Sequence, residues 1–245
     1  MGKRIIQRAR GHGGPVYRVR KKAFVYEIRY PNIKGFSGES EIIELVHSRA
    51  HSAPLARMRI HLKEGENKGG TIMFYAPAFE GAFVGQKIAF NIEGRKSAGD
   101  IVRAENMEMG DKVYNIERIP GDGGKIMRSA GTSAVVSRKS KSEIFIKTPS
   151  KKEIAINPEC LAQIGIIAGG GRKEKPVMKA GKMYHIKKTR SKLWPRTSAV
   201  KMNALDHPFG SGRGKRIKSK IAKRNAPPGA KVGHIRPRRT GRKKR

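Results

Sequence analysis

Two groups of residues in this chain have the types and spacing to suggest small-molecule chemistry. The first, Pro120-Gly-Asp-Gly-Gly-Lys125, is similar to a phosphate-binding loop. Such a loop needs Gly five residues before its Gly-Lys pair and Ser or Thr after it, but Ile119 and Ile126 occupy those positions. Gly214-Lys215 fails the same test. The sequence therefore favours a tight turn between strands, and a glycine loop that approaches a phosphate chain stays open as the alternative.

The second group is the neighbouring pair Asp206 and His207, which could polarise one another as a general base. Adjacent side chains rarely point at the same atom, so a turn is the favoured interpretation. The seven histidines are scattered, and none has a second metal ligand at a plausible spacing. A single cysteine, Cys160, excludes a cysteine-built zinc site and an intramolecular disulfide. Acidic residues are few and are expected mostly at solvent-facing strand positions. We predict no catalytic residue, no metal site and no cofactor.

Positive charge is concentrated at the two ends of the chain. Residues 172–245 contain 26 Lys and Arg against two acids, and residues 1–35 contain ten against one. The 136 residues between them carry 19 basic and 16 acidic side chains. A nearly neutral centre can pack as a globular protein, whereas the ends would repel themselves unless a polyanion neutralised them. A partner made of phosphates meets that requirement best.

The central region has the alternating pattern of short β-strands. Apolar Ala56, Met58, Ile60 and Leu62 alternate with polar residues up to Lys63. Further strands are predicted at 24–30, 71–75 and 88–92, together with a hairpin of 143–147 and 153–156 around a turn of about five residues. Helix signals are weak, and the best candidate is a turn or two near 158–164. This pattern predicts two small barrels with a seam within 91–100.

The region after Ile167 loses this periodicity and is rich in Gly, Pro, Lys and Arg. By composition, 172–245 is disordered in isolation or becomes ordered only inside its partner. Its aromatic residues are Tyr184, Trp194 and Phe209, too few for the stacking platforms of single-strand binders. We therefore expect backbone and shape recognition of folded nucleic acid. The alternatives are a DNA-architectural protein and an RNA-modifying enzyme.

Several motifs resemble the universal large-subunit ribosomal protein "L two" family. They include 120–125, Arg128-Ser-Ala-Gly131, 167–181, Trp194-Pro-Arg196, 202–210, 224–233 and 239–242. The resemblance covers most of the chain and is densest from Tyr114 onward. The form is archaeal or eukaryotic-like, because the bacterial pattern usually has a second His where Phe209 stands.

The resemblance implies a mainly β fold, with an oligonucleotide-binding-type barrel followed by an SH3-like barrel and long, basic, irregular N- and C-terminal extensions. The expected divisions are an N-terminal extension over 1–35, the first barrel over 36–91, the second over 92–171 and a tail over 172–245. The implied partners are large-subunit rRNA, other ribosomal proteins and the small subunit, with no membrane. The implied location is the cytoplasmic ribosome, and the implied role is rRNA stabilisation, subunit association and support of the peptidyl transferase region.

The residues expected to contact rRNA are cationic or lie in the matching motifs. They are Arg49, Arg128, Arg172, Lys175, Lys179, Trp194, Arg196, His207, Arg224, Arg239 and Arg242. His207 occupies the loop expected nearest the peptidyl transferase centre, in a positional rather than catalytic role. The chain departs from the family at His51, where the family usually has Arg, and at Ser198-Ala199, where it often has Arg and Gly. Neutral His cannot hold phosphate in the bidentate manner of Arg, and Arg49 is the expected substitute.

Overall fold

The structure, a computed structural model, describes residues 3–33, 36–62, 70–92, 94–210 and 221–238. The chain divides into two compact units. The first is Lys21–Val177, and the second joins Met1–Arg20 to Met178–Arg245. The domain boundaries expected at 36, 92 and 172 stay predictions.

The first unit is built on one long sheet. Its strands are β1 (Gly38–Val46), β2 (Leu55–Leu62), β3 (Gly70–Pro77), β4 (Lys87–Phe90), β5 (Ile101–Arg103), β6 (Lys112–Tyr114), β7 (Ala134–Lys139), β8 (Ile144–Lys147), β9 (Glu153–Ile156) and β10 (Leu161–Ile164). They are ordered β3-β2-β1-β4-β5-β10-β6-β7-β8-β9. Two 3-10 helices are present: Ala104–Asn106 lies between β5 and β6, and Gly170–Lys173 follows β10.

Strand β2 shows why this region folds as a sheet. Met58 and Ile60 are fully buried, while Arg57 and Arg59 between them are partly exposed. A period of two gives the strand one apolar face, which removes about 1.5–3 kcal/mol of unfavourable hydration for each large side chain buried. Its antiparallel neighbours β1 and β3 complete this part of the sheet. The strands predicted at 56–63 and 71–75 are thus confirmed over their described residues.

Two separate hydrophobic cores lie on the sheet. The first is formed by residues of β1–β4 together with residues of the segments around them, and Ile42, Ile88 and Phe90 are among its most buried members. The second lies within 102–164, around Val113 and Ile146. The sheet passes from one core to the other where β4 meets β5 in a single parallel pair, Phe90 with Ile101. The chain is therefore mainly β, as predicted.

The predicted hairpin of β8 and β9 is confirmed. The two strands pair antiparallel from Ile144 opposite Ile156 to Lys147 opposite Glu153. Five residues, 148–152, form its turn, in which Thr148 N–H donates to Lys152 O (2.9 Å).

Two sequence predictions in this unit are wrong. Residues 24–30 form only an isolated bridge between Ile28 and Tyr75, because Arg29 N–H donates to Tyr75 O while Tyr30 N–H donates to Gly123 O. The segment divides its backbone hydrogen bonds between two partners and cannot extend a ladder with either. The predicted helix near 158–164 is instead β10, which pairs with both β5 and β6.

The second unit contains short elements that composition did not predict. They are α1 (Ile6–Gly11), α2 (Ala180–Thr189), a 3-10 helix Ala199–Lys201, and the parallel pair β11 (Ile221–Ala222) and β12 (His234–Ile235). Neither α-helix has a buried residue, so neither shows the apolar stripe that predicts a helix. Helix α2 is therefore a regular element within an extension whose pattern gave little helix signal. The disorder expected for the tail in the free protein stays a prediction.

Candidate nucleic-acid interface

The glycine-rich loop at 120–124 is held by a buried carboxylate. Glu117 is 1% exposed and accepts hydrogen bonds from Gly123 N–H (2.8 Å), Leu161 N–H (2.9 Å) and Gly121 N–H (3.2 Å). Residues on either side of the loop, Ile116 and Ile126, form a bridge. The predicted turn between extended segments is thus confirmed. The general expectation that acids face solvent is wrong here, because this carboxylate satisfies backbone donors that a tight turn leaves unpaired.

Arg128 fastens this loop to the segment before the sheet. Its Nη1 donates to Gly124 O (3.1 Å) and its Nη2 donates to Ile28 O (3.2 Å). Burial lowers the pKa of the Arg128 guanidinium, although an arginine stays charged in proteins. A guanidinium carries five N–H donors, so the side chain retains hydrogen-bonding capacity beyond these two contacts.

The loop of residues 48–54 lies against Arg128. The His51 ring meets Phe24 edge-on, with 5.3 Å between ring centroids, and His51 Nδ1 shares a 2.7 Å hydrogen bond with Ser48 Oγ. Burial, and secondly the charge of Arg128, lowers the pKa of His51. The neutral ring therefore predominates near pH 7. Ser52 Oγ accepts a hydrogen bond from Ala130 N–H (3.0 Å), which connects this loop to the Arg128-Ser-Ala130 motif.

A third loop, residues 168–172, contacts the loop of Arg128 where Gly170 packs against Gly131. A Cβ built on Gly131 would lie 2.3 Å from Gly170 Cα, so the two backbones approach as only glycine allows. Gly131 N–H also donates to Ile167 O (2.9 Å). Arg172 follows in the 3-10 helix Gly170–Lys173.

These contacts bring three sequence-predicted residues onto adjoining loops. Arg128 lies two residues from Ala130 and Arg49 three residues from Ser52, the pair that joins the first two loops, and Arg172 lies two residues from the Gly131–Gly170 contact. Arg49 and Arg172 are exposed, as is Lys175 beyond them, and Arg128 is half-buried. We call the loops 48–54, 124–131 and 168–172 the arginine loop cluster.

In the second unit, His207 closes a tight turn. Its N–H donates to Asn203 O (3.3 Å), and its carbonyl accepts from Gly210 N–H (2.8 Å). His207 is buried, and its Nδ1 accepts a hydrogen bond from Phe209 N–H (3.0 Å). In the neutral imidazole the proton is therefore on Nε2. Asp206 lies 3.4 Å from Lys3 Nζ instead of orienting the imidazole. The predicted turn is confirmed.

The other expected contacts in this unit are mostly exposed. Lys179, Arg196 and Arg224 are exposed and Trp194 is half-buried. Arg224 Nη2 donates to Arg236 O (3.1 Å), which ties the residues after β11 to those after β12. Arg239 and Arg242 lie outside the described residues.

The chain is similar to known proteins of one family. The family model "Ribosomal Proteins L2, C-terminal domain" matches residues 97–229. A protein named large ribosomal subunit protein uL2 from Hyperthermus butylicus is 42% identical over 246 residues, covering 100% of both chains. Proteins of the same name from Archaeoglobus fulgidus and Sulfolobus acidocaldarius are 39% and 38% identical, over 98% and 99% of this chain and 99% of their own lengths.

The chain belongs to the ribosomal protein L2 family. The recognition made from the motifs is thereby confirmed, and so is the fold class, since L2 proteins combine an oligonucleotide-binding-type and an SH3-like barrel. The two cores of the first unit fit that pair of barrels.

The arginines of strand β2 are neutralised by acidic residues of the neighbouring strand β1. Arg59 Nη2 donates to Glu41 Oε2 (2.7 Å), and Arg57 Nη1 lies 3.7 Å from Glu44 Oε2. Both arginines lie on β2 and both acids on β1, so the pairs run across neighbouring strands. The arginine loop cluster has no such row of acids among its described residues. The sequence could not show this difference, because strand register decides which charges meet.

The described residues contain no cluster of three or more His, Cys, Asp or Glu arranged to hold a metal ion. Among the described helices, none has the length and apolar character needed to cross a membrane.

Proposed function

We propose that this chain is a structural constituent of the large ribosomal subunit that binds and stabilises rRNA during translation. The observation that carries the proposal is identity of 38–42% along the whole chain with proteins named large ribosomal subunit protein uL2. Its partners are large-subunit rRNA and other ribosomal proteins, and its place of action is the ribosome.

The mechanism is neutralisation of phosphates combined with recognition of RNA shape. The second unit carries 29 basic side chains and a single acid, Asp206, so it requires anions around it. The first unit offers the arginine loop cluster, in which contacts between the loops hold the backbone and two carbonyls hold the Arg128 guanidinium before RNA binds. Prearranged cations lose less conformational entropy on binding than mobile ones do.

The proposal also includes association with the small subunit and support of the peptidyl transferase region. The loop 203–210 would reach that region, and His207 would have a positional role there. The turn geometry supports it, because Nδ1 is occupied by Phe209 N–H and Asp206 is paired with Lys3. In the neutral ring the proton then lies on Nε2, so no free ring nitrogen is left to accept a proton as a general base would.

The chain acts as a scaffold for chemistry done by RNA. Replacement of His207 by Ala should leave peptide-bond formation in assembled subunits within a few-fold of wild type. Abolished peptide-bond formation with intact assembly would favour a catalytic histidine instead.

The test of the proposal is competition binding with salt titration. Full-length protein should prefer a large-subunit rRNA fragment to duplex DNA of equal length, with a log–log salt slope steeper than about −5, because each neutralised phosphate adds about −0.7 to −0.9. A slope near −1 or −2 would contradict the charge mechanism. Preference for DNA would support the rival DNA-architectural function.

A further inference from the structure

The N-terminal segment and the C-terminal region form one unit although both are cationic. Residues 1–20 contain six basic side chains and no acid, and residues 178–245 contain 23 basic side chains and Asp206. Coulomb repulsion opposes their association. The contacts that hold them together must therefore be specific.

The first contact joins Lys3 to the loop of His207. Lys3 N–H donates to Leu205 O (2.8 Å), and Lys3 Nζ lies 3.4 Å from Asp206 Oδ1. One residue thus engages the loop through both its backbone and its side chain. The following Ile5 is 6% exposed. Among the described residues of the N-terminal segment, 3–20, Ile5 is the only apolar residue that is buried.

The second contact joins Arg8 to the turn at Gly229. A Cβ built on Gly229 would lie 2.9 Å from Arg8 Nη1, and Gly229 has a φ of +91°. Lys3, Ile5 and Arg8 line a cavity of about 230 Å³ together with His207 and Gly229. The N-terminal segment therefore touches both the loop 203–210 and the turn 227–230.

We infer that the N-terminal segment is a clamp on the His207 loop and that Lys3 is a positioning residue for it. The inference rests on the proposed rRNA-binding function, because the position of this loop matters only in the assembled subunit. Asp206 is the residue that the clamp holds, since it has the one acidic side chain in a unit with 29 basic side chains.

The neighbouring Arg4 separates this role from general charge. Arg4 is exposed and lines a cavity of about 450 Å³ with Lys3 and Asp206, but the ion pair of Asp206 is with Lys3. An exposed ion pair contributes little stability by itself. The Lys3–Asp206 pair therefore acts together with the backbone hydrogen bond from Lys3 N–H to Leu205 O. Lys3→Glu and Arg4→Glu change the net charge equally, and only the first reverses the pair.

The contact itself can be tested by carbodiimide cross-linking of large subunits. Carbodiimide activates the Asp206 carboxylate, an amine attacks it, and an isopeptide bond forms as the carbodiimide leaves as a urea. Mass spectrometry should find Lys3 joined to Asp206, and Lys3→Gln should abolish that product. A product joining Asp206 to Lys201, which lines the same cavity, in place of Lys3 would overturn the clamp.

The positioning role is tested by the reactivity of His207 with diethylpyrocarbonate in subunits containing variant protein. Lys3→Glu should raise the modification rate at least threefold. Adding Asp206→Lys should restore it, because the exchanged charges attract again. Arg4→Glu should leave it unchanged.

The outcomes separate the two proposals. Failure of the wild-type chain to enter large subunits would contradict the proposed function. Entry of Lys3→Glu with wild-type His207 reactivity would contradict the clamp alone. If Lys3→Glu does not assemble, the cross-link in wild-type subunits decides the question.

Discussion

Gly131 and Gly170 lie backbone against backbone, close enough that a Cβ on Gly131 would be 2.3 Å from Gly170 Cα. Gly131 also has a φ of +68°, in the left-handed region. This contact joins the loop of Arg128 to the loop of Arg172. The arginine loop cluster therefore depends on a residue with no side chain.

Replacement of Gly131 by Ala should destabilise the protein by at least about 2 kcal/mol, because the left-handed backbone and the backbone contact both oppose a Cβ. Urea unfolding of the full chain measures the effect. Gly110→Ala is the matched control, since Gly110 has a φ of +96° but nothing within 4 Å of its Cβ. It should cost only about 1 kcal/mol. Equal losses in the two variants would show that the Gly131–Gly170 contact is unimportant.

Arg49 and Arg59 should behave differently towards RNA. Arg49 is exposed in the arginine loop cluster, whereas Arg59 is paired with Glu41 at 2.7 Å. Arg49→Ala should reduce the magnitude of the log–log salt slope by about 1, as expected for one lost phosphate contact. Arg59→Ala should leave the slope unchanged. Filter binding to the rRNA fragment across a salt series measures both, and the reverse pattern would place the interface on β2.

His51 should make the stability of the first unit depend on pH. Burial, and secondly Arg128, lowers its pKa in the folded state below the usual 6.5. The unfolded chain therefore binds a proton first as pH falls through 6.5, and stability decreases below that pH. Urea unfolding at pH 7.5 and 5.5 should show a smaller decrease for His51→Gln than for wild type. The exposed His47, changed to Gln, is the control. An unaltered pH dependence in His51→Gln would contradict this assignment.

The second unit should be the first to be digested in the free protein. Its buried apolar residues among the described positions are Ile5 and Ala222, which give it almost no core. Limited proteolysis should spare much of 36–171 and remove 172–245. Bound rRNA fragment should protect the tail. A tail that resists protease without RNA would contradict its dependence on a partner.

The sequence predicted β2, whose side chains alternate, and missed β10, whose side chains are almost uniformly buried. Strand β2 was predicted because Met58 and Ile60 alternate with arginines. Strand β10 was mistaken for a helix because Ala162, Gln163 and Ile164 are all buried between two neighbouring strands. Such a central strand has no polar face to show a period of two.

The site was predicted in part, through its motifs and cationic residues. Arg128 and the glycines around it were found from sequence, and their loops do contact one another. The roles of Glu117 and Lys3 were missed, because each acts across a long stretch of chain: Glu117 on Leu161 and Lys3 on Asp206. A local sequence pattern cannot predict that a carboxylate or an ammonium group will contact a residue so far away in the sequence.

Membership of this chain in the large ribosomal subunit can be measured by sedimenting a cell lysate through a sucrose gradient and blotting the fractions for the chain. The chain should appear in the large-subunit and whole-ribosome fractions and move to the top of the gradient after a high-salt wash strong enough to strip basic proteins. Absence from the large-subunit fraction at low salt would contradict the account.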